Sequence, residues 1–422
     1  MKRVRKTCFH CRIKNVYRWR RMTITTTTQQ TTMTISTSSS HSTNGMNSGD
    51  YEGLWLGATS GFTRSFLNAY RLTNWIFVGN ERQPPEWMRP HLDDVDSRNT
   101  YNCCDFTALE REDSDASVPC FLKWLHRQQN VGESRLRQIV VTVRPALVST
   151  QTNAMAHQYG ERLAQGLKLI LQSTVNNIVA KSPNAITIIH LSSIAAVGHI
   201  QPHCLRSETT ENDPASADLL YPYDRFKRKC EEDIELVSSS CNVQIQFTNI
   251  RSGAIFSADD PGCIQCQALA LQAYNGPLLP QRIDCNSSRN VASLVYLILQ
   301  GTRQQHQNPL KLRSVYYYTR PLHIHQPVPY GYFLQAYRQA YQIHWYINLP
   351  VWIIQGFVAC FHGITNLLGF YVPYLESVDY LLQVTCNEHS FDMTAVQTDF
   401  PQLSILEETI KGCFQRRKNA RL

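Results

Sequence analysis

The sequence predicts an α/β protein, with a doubly wound parallel sheet and a smaller, mostly helical C-terminal lobe. Three observations predict it. Between Leu54 and Leu299, short apolar runs alternate with longer stretches whose apolar residues recur at helical spacing, and strands separated by helices pair in parallel. The first apolar run, "GLWLGA", leads directly into "TSG" and then a helical pattern, a strand–turn–helix order in which glycines allow a tight turn and close approach of an anion to the helix N-terminus. After about residue 310 the chain becomes aromatic and Pro-interrupted, which marks a different lobe.

In chain order, residues 1–50 read as a separate, unstructured leader. Nine of the 41 Lys and Arg residues fall in the first 21 positions, no charge follows until Asp50, and the intervening tract is rich in Ser and Thr with no hydrophobic face. That is the composition of a mitochondrial or plastid transit peptide; a plain basic tail, or a true start at Met22 or Met46, are the alternatives. Residues 51–310 form the sheet domain. Its expected strands are "GLWLGA", "NWIFVGN", "RQIVVTV", "AITIIHLSS" and "NVQIQFTNI", with helices over "HQYGERLAQGLKLILQSTVNNIVAKS" and "NVASLVYLILQGT". Residues 311–422 form the apolar C-terminal lobe. Its most apolar part, 347–375, is interrupted by Pro350, Gln355, His362 and Asn366. A membrane-spanning helix wants about twenty nearly unbroken apolar residues, so a helical substrate lobe is expected, with membrane-surface contact as the second reading.

The net charge of +8 comes from the leader. Positions 51–422 hold 32 basic and 32 acidic residues, so no basic body for gripping nucleic acid is expected. The 14 cysteines are spread thinly, which favours reduced thiols in a reducing compartment. The pairs Cys8/Cys11 and Cys263/Cys266 have zinc-ligand spacing but are separated by 252 residues, and His323/His325 lie in a Pro-rich stretch. No metal site is expected.

Two segments carry chemistry. In "LLYPYDRFKRKCEEDIELV", Pro222 suits a first helical turn, and Tyr223 and Lys227, four apart, share one helix face. A Lys ammonium beside a phenol stabilises the phenolate and lowers its pKa, making Tyr a usable acid/base. Thirty residues upstream, "IIHLSSIAAVG" is an apolar strand ending at Ser192-Ser193 with Gly198 beyond. A Ser at the carboxyl end of a parallel strand faces the crevice where such sheets bind ligands.

Together these segments resemble the extended short-chain dehydrogenase/reductase family, over roughly residues 54–415. Ser193 matches the family's catalytic Ser, five before the glycine. "YDRFKRKCEE" is similar to its Tyr–Lys helix, with Glu231 four residues after the Lys. "NIRSGAIFS" and Asn290-Val291-Ala292 resemble later segments, and "CCDFTAL" resembles the adenine-contacting Asp-Leu segment. The apolar C-terminal stretches look most like the 3β-hydroxysteroid dehydrogenase/isomerase branch. The resemblance implies a Rossmann-type fold, NAD or NADP as cofactor, and hydride transfer on a sterol-like or other apolar alcohol or ketone. It implies Tyr223 as general acid/base, Lys227 as its activator and ribose ligand, and Ser193 on the reacting oxygen. Gly57, Ser60, Gly61, Phe62, Arg64, Arg82, Asp105 and Phe106 would form the cofactor cradle. A nucleotide-sugar epimerase or dehydratase, and a nucleotide-binding protein with little catalysis, are the alternatives.

The sequence also departs from the family. Leu56 stands for the usual Thr, the second glycine is displaced to Gly61, and Thr63-Arg64 stand at the third. The tip of the second strand holds Gly79-Asn80 and then Glu81 and Arg82, so the choice between NAD and NADP stays open. "VVTVRPALV" replaces the central His-x-Ala-Ala strand, Leu163 stands for the Asn before Gly166, and Ser252 and Phe256-Ser257 replace Pro and Tyr-Gly.

Overall fold

The computed structural model describes residues 51–422, except positions 95, 110–115, 131–135, 146–153, 182–185, 198–204, 207–221, 241–244, 277–281, 304–310, 368–389 and 421–422. The leader, Cys8, Cys11 and Gly198 therefore lie outside the described residues.

Seven strands form one sheet: β1 (Gly53–Leu56), β2 (Trp75–Gly79), β3 (Thr100–Cys103), β4 (Gln138–Val141), β5 (Ile186–Ser193), β6 (Ile245–Ser252) and β7 (Val315–Tyr317). Every pairing is parallel, in the order β7-β6-β5-β4-β1-β2-β3. Strand order reverses between β1 and β4, which sets a crevice at their carboxyl ends. All five expected strands are present. The sequence carries no signal for β3, "TYNC", because the strand is short and half-buried. By its sequence the "YYY" run at 316–318 reads as a strand entering the C-terminal lobe; in the structure it joins the main sheet, where β7 pairs with β6 from Val315↔Asn249 to Tyr317↔Arg251.

Helices cover both faces, and the alternation of side chains along each strand sorts them. Leu54, Leu56, Ile139, Val141, Ile186 and Ile188 pack with α3 (Ala154–Lys181) and α4 (Pro222–Ser239) through Leu163, Leu167, Ile170, Phe226, Ile234 and Val237. Residues one register on, Trp55, Trp75, Phe77, Val140, Ile189 and Ile250, pack with α1 (Gly61–Ala69) and α6 (Ser288–Arg303) through Phe66, Leu67, Val291, Leu294 and Ile298. Helix α2 (Val118–Asn130) joins the first face. A third cluster unites α5 (Ile264–Asn275), α7 (Tyr330–Tyr341) and α9 (Ile410–Asn419). Between α7 and α9 lies α8 (Val351–Leu367). The fold is thus a Rossmann-like α/β sheet with a helical C-terminal region.

Gly166 on α3 shows how closely the layers approach. A Cβ there would run into the Phe106 carbonyl oxygen, so only glycine lets α3 pass the turn after β3.

Candidate active site

The site is built where the carboxyl ends of β1, β4 and β5 meet α4. Helix α4 begins at Pro222, whose missing N–H is harmless in a first turn. Tyr223 follows, partly buried, and its phenol hydrogen-bonds the Ser193 side chain at the end of β5. Ser193 Oγ also accepts from the Ala195 N–H at 3.2 Å, which fixes its rotamer. One turn on, Lys227 is buried and its Nζ donates to the carbonyls of Leu191 at 2.8 Å and Val143 at 3.2 Å. The three residues singled out as a catalytic set come together.

Their electrostatics differ from expectation. Burial pushes the Tyr223 phenol above its ordinary value; the Ser193 hydrogen bond and the Arg144 charge pull against it. Burial lowers the Lys227 ammonium to about 8. The cation bearing on the phenol is Arg144, because Lys227 is committed to two backbone carbonyls. Arg144 follows β4, is exposed, and bears on Lys227 as well. It is not among the site residues expected from sequence. Within "VVTVRPALV" only its position at a parallel strand's carboxyl end could have flagged it.

Behind the site, Glu231 accepts from Ser192 Oγ at 2.5 Å and from Arg251 Nε and Nη2 at 3.0 and 2.6 Å, while Arg251 Nη1 donates to the Tyr317 hydroxyl at 2.7 Å. Burial pushes the Glu231 carboxyl up, but these hydrogen bonds and the Arg251 charge outweigh it and hold the carboxyl below its ordinary value. The network locks β5, β6 and β7 to α4 one turn beyond Lys227.

The β1–α1 turn lies on the same edge. Gly57 has φ +93°, and a Cβ there would meet the Val143 backbone nitrogen at 2.7 Å; the turn needs glycine twice over. Ser60 caps α1 by accepting from the Thr63 N–H at 3.2 Å. Thr63, where the family has its third glycine, is fully buried. Its Oγ1 accepts from Trp55 Nε1 at 2.9 Å and donates to the Gly57 carbonyl at 3.2 Å, and Thr142 Oγ1 donates to the same carbonyl at 3.0 Å. The lost glycine is replaced by a hydroxyl that satisfies the strand end. Phe62 is partly buried and packs against the hydrophobic cluster on the α1 side of the sheet.

The remaining cradle residues are strung along this edge. Arg64 rests over the Trp87 ring at 5.8 Å, with its Nε buried and without a hydrogen-bond partner among the described residues. Arg82 is exposed beyond the tip of β2, beside Cys103. Asp105 accepts from the Thr107 N–H at 3.0 Å and hydroxyl at 2.7 Å, and Phe106 is buried beneath the turn. The glycine turn and the buried Arg64 Nε without a hydrogen-bond partner among the described residues fit an anionic group such as a dinucleotide's diphosphate. Against this stands Asp260, another residue outside the sequence expectation, which presses its carboxylate against Gly61. Cys263 and Cys266 hydrogen-bond each other in the next segment, both buried. Among the described residues no cluster of three or more His, Cys, Asp or Glu is arranged to hold a metal.

No protein-family model matches the chain, and no curated protein matches it in sequence. Solved structures share its fold. One is the enzyme WbmH of Bordetella bronchiseptica in complex with NAD+, with a TM-score of 0.52 and 10% identity over 87% of this chain and 97% of that one. Another is the UDP-Glc/GlcNAc 4-epimerase of Campylobacter jejuni, with a TM-score of 0.52 and 12% identity over 87% and 99%. The terminal R domain of the myxalamid PKS-NRPS pathway has a TM-score of 0.57 and 12% identity over 88% and 90%. At these identities the likeness is one of fold.

Proposed function

We propose that the chain is an NAD(P)-dependent oxidoreductase of the short-chain dehydrogenase/reductase kind, acting on the CH–OH or carbonyl group of an apolar, sterol-like substrate. The observation that carries this reading is the Tyr223–Ser193 hydrogen bond, one helical turn from Lys227, beside the Gly57 turn at the sheet's switch point. Gly57, Ser60, Gly61 and Arg64 would hold the diphosphate, with Phe62 packed beneath. Arg82, Asp105 and Phe106 would face the adenosine end, and Lys227 the nicotinamide ribose. A nicotinamide bound there supplies the hydride acceptor or donor.

The chain's own residues handle the proton and the substrate oxygen. Burial keeps the Tyr223 phenol protonated at neutral pH, the form that gives a proton to a reduced carbonyl oxygen. Ser193, its rotamer set by Ala195, donates to that same oxygen and orients it. Arg144 adds positive charge beside the phenol and steadies the anion left when the proton departs.

The same guanidinium favours a second reading, a nucleotide-sugar epimerase or dehydratase, because an exposed Arg in the crevice suits an anionic substrate. Full-length protein titrated with NAD(H) and NADP(H), followed by thermal shift, tests the cofactor. The expected result is saturable stabilisation by one of the two pairs. Tyr223→Phe is then expected to lower turnover at least about a hundredfold while leaving cofactor affinity within about twofold. Retained turnover would remove Tyr223 from the acid/base role.

A further inference from the structure

The loop between β6 and α5 brings its own anion to the cradle. An ideal Cβ on Gly61 would overlap Oδ2 and Cγ of Asp260, so the carboxylate rests on the first residue of α1. That first turn contains no acid of its own, and its free N–H groups and dipole attract negative charge. A diphosphate approaching the glycine turn is drawn to the same place for the same reason. Two anions cannot share it.

The loop that carries the carboxylate is held from several sides. Asp260 N–H donates to Ser257 Oγ at 3.1 Å, and Ser257 Oγ lies 3.0 Å from Ser65 Oγ on α1. Gly262 N–H donates to Asp260 Oδ1 at 2.8 Å. From α9, Arg417 donates to the carbonyls of Ser257 at 2.6 Å and Pro261 at 3.2 Å, and Arg416 grips both oxygens of Asp259 at 2.7 Å. The backbone is thus pinned to the C-terminal helix. The part that blocks the cradle is the end of a side chain on a loop whose Pro261 and Gly262 are exposed, so rotation can clear it.

We infer that Asp260 is an intramolecular competitor for the place of a dinucleotide's diphosphate, and so sets the affinity of the crevice for diphosphate-bearing ligands. The inference rests on the dinucleotide reading above. Removing the charge should tighten binding of any ligand with a diphosphate at that point and leave ligands without phosphate unaffected.

The test compares the full-length chain with Asp260→Asn and Asp260→Ala by calorimetric titration against NAD+, ADP and adenosine. Asn keeps an acceptor for the Gly262 N–H, and thermal unfolding checks that each variant folds. Both variants are expected to bind NAD+ and ADP about tenfold or more tightly than wild type, the effect of one like charge at a few ångströms, with adenosine unchanged. Equal affinities across the three proteins overturn the inference and leave the dinucleotide reading standing. Weaker binding by the variants, or equal tightening for adenosine, also overturns it. If NAD+ and ADP bind none of the three proteins, the dinucleotide reading itself fails, and the inference with it.

Discussion

Among single residues, Lys227 carries the clearest consequence. Burial lowers its pKa from 10.5 to about 8. Below pH 8 the ammonium is charged in both folded and unfolded chains, and the folded state bears the full penalty of burying it. Between about pH 8 and 10.5 the folded chain sheds the proton while the unfolded chain keeps it. The unfolded state then binds more protons, and the Lys227 contribution to stability rises with pH. The stability difference between wild type and Lys227→Met, from urea unfolding, should therefore change in favour of wild type from pH 7.5 to pH 10. A difference flat across that range would show that the ammonium is not buried as described. Residue types at the site were legible because Ser, Tyr and Lys stand at diagnostic spacings in one strand and one helix. Arg144 and Asp260 were not, since each acts across the fold on residues far away in sequence.

Among the secondary-structure elements, the two kinds of glycine in helices make opposite predictions. Gly166 on α3 faces the Phe106 carbonyl at a distance no Cβ tolerates, whereas Gly356 and Gly363 on α8 have nothing within 4 Å of the place a methyl group would take. Alanine is the better helix former by about 1 kcal/mol. Gly356→Ala or Gly363→Ala should stabilise the chain by up to about that amount, while Gly166→Ala should destabilise it by about 1–3 kcal/mol through overpacking. Chemical denaturation of the three variants decides the matter, and a stabilising Gly166→Ala would mean that α3 does not approach the turn so closely. The helix α3 and the strands β1, β2, β4, β5 and β6 were readable from periodicity alone. β3 was not, because four residues are too few to show a period; β7 was readable as a strand, but its place in the main sheet comes from pairing with β6.

For the molecule as a whole, the C-terminal region exposes a large apolar surface. Trp345 is 89% exposed, Trp352 70%, Ile347 68% and Phe357 66%, and α8 contains no Asp, Glu, Lys or Arg. Among the described residues no helix is long and apolar enough to cross a membrane. Aromatic side chains exposed on an uncharged helix suit the interface of a bilayer, and we propose that this region rests on a lipid surface. Vesicles of neutral phosphatidylcholine should co-sediment with the full-length chain, and the double substitution Trp352→Glu with Phe357→Glu should lower the bound fraction at least about fivefold. Binding that is unaffected by the double substitution would move the contact elsewhere.

Local sequence was enough to specify the layered α/β architecture and to mark a glycine turn, Ser193, Tyr223 and Lys227 as candidate site residues, because periodicity, turn residues and helical spacing are properties of neighbouring positions. What those groups face emerged only from the folded chain. Lys227 turns to the carbonyls of Leu191 and Val143, Thr63 takes up the room of a missing glycine by bonding Trp55 and Gly57, and Asp260 reaches Gly61 from a distant part of the chain. Such contacts depend on which strand ends are brought together at one edge of the sheet, and no local pattern encodes that.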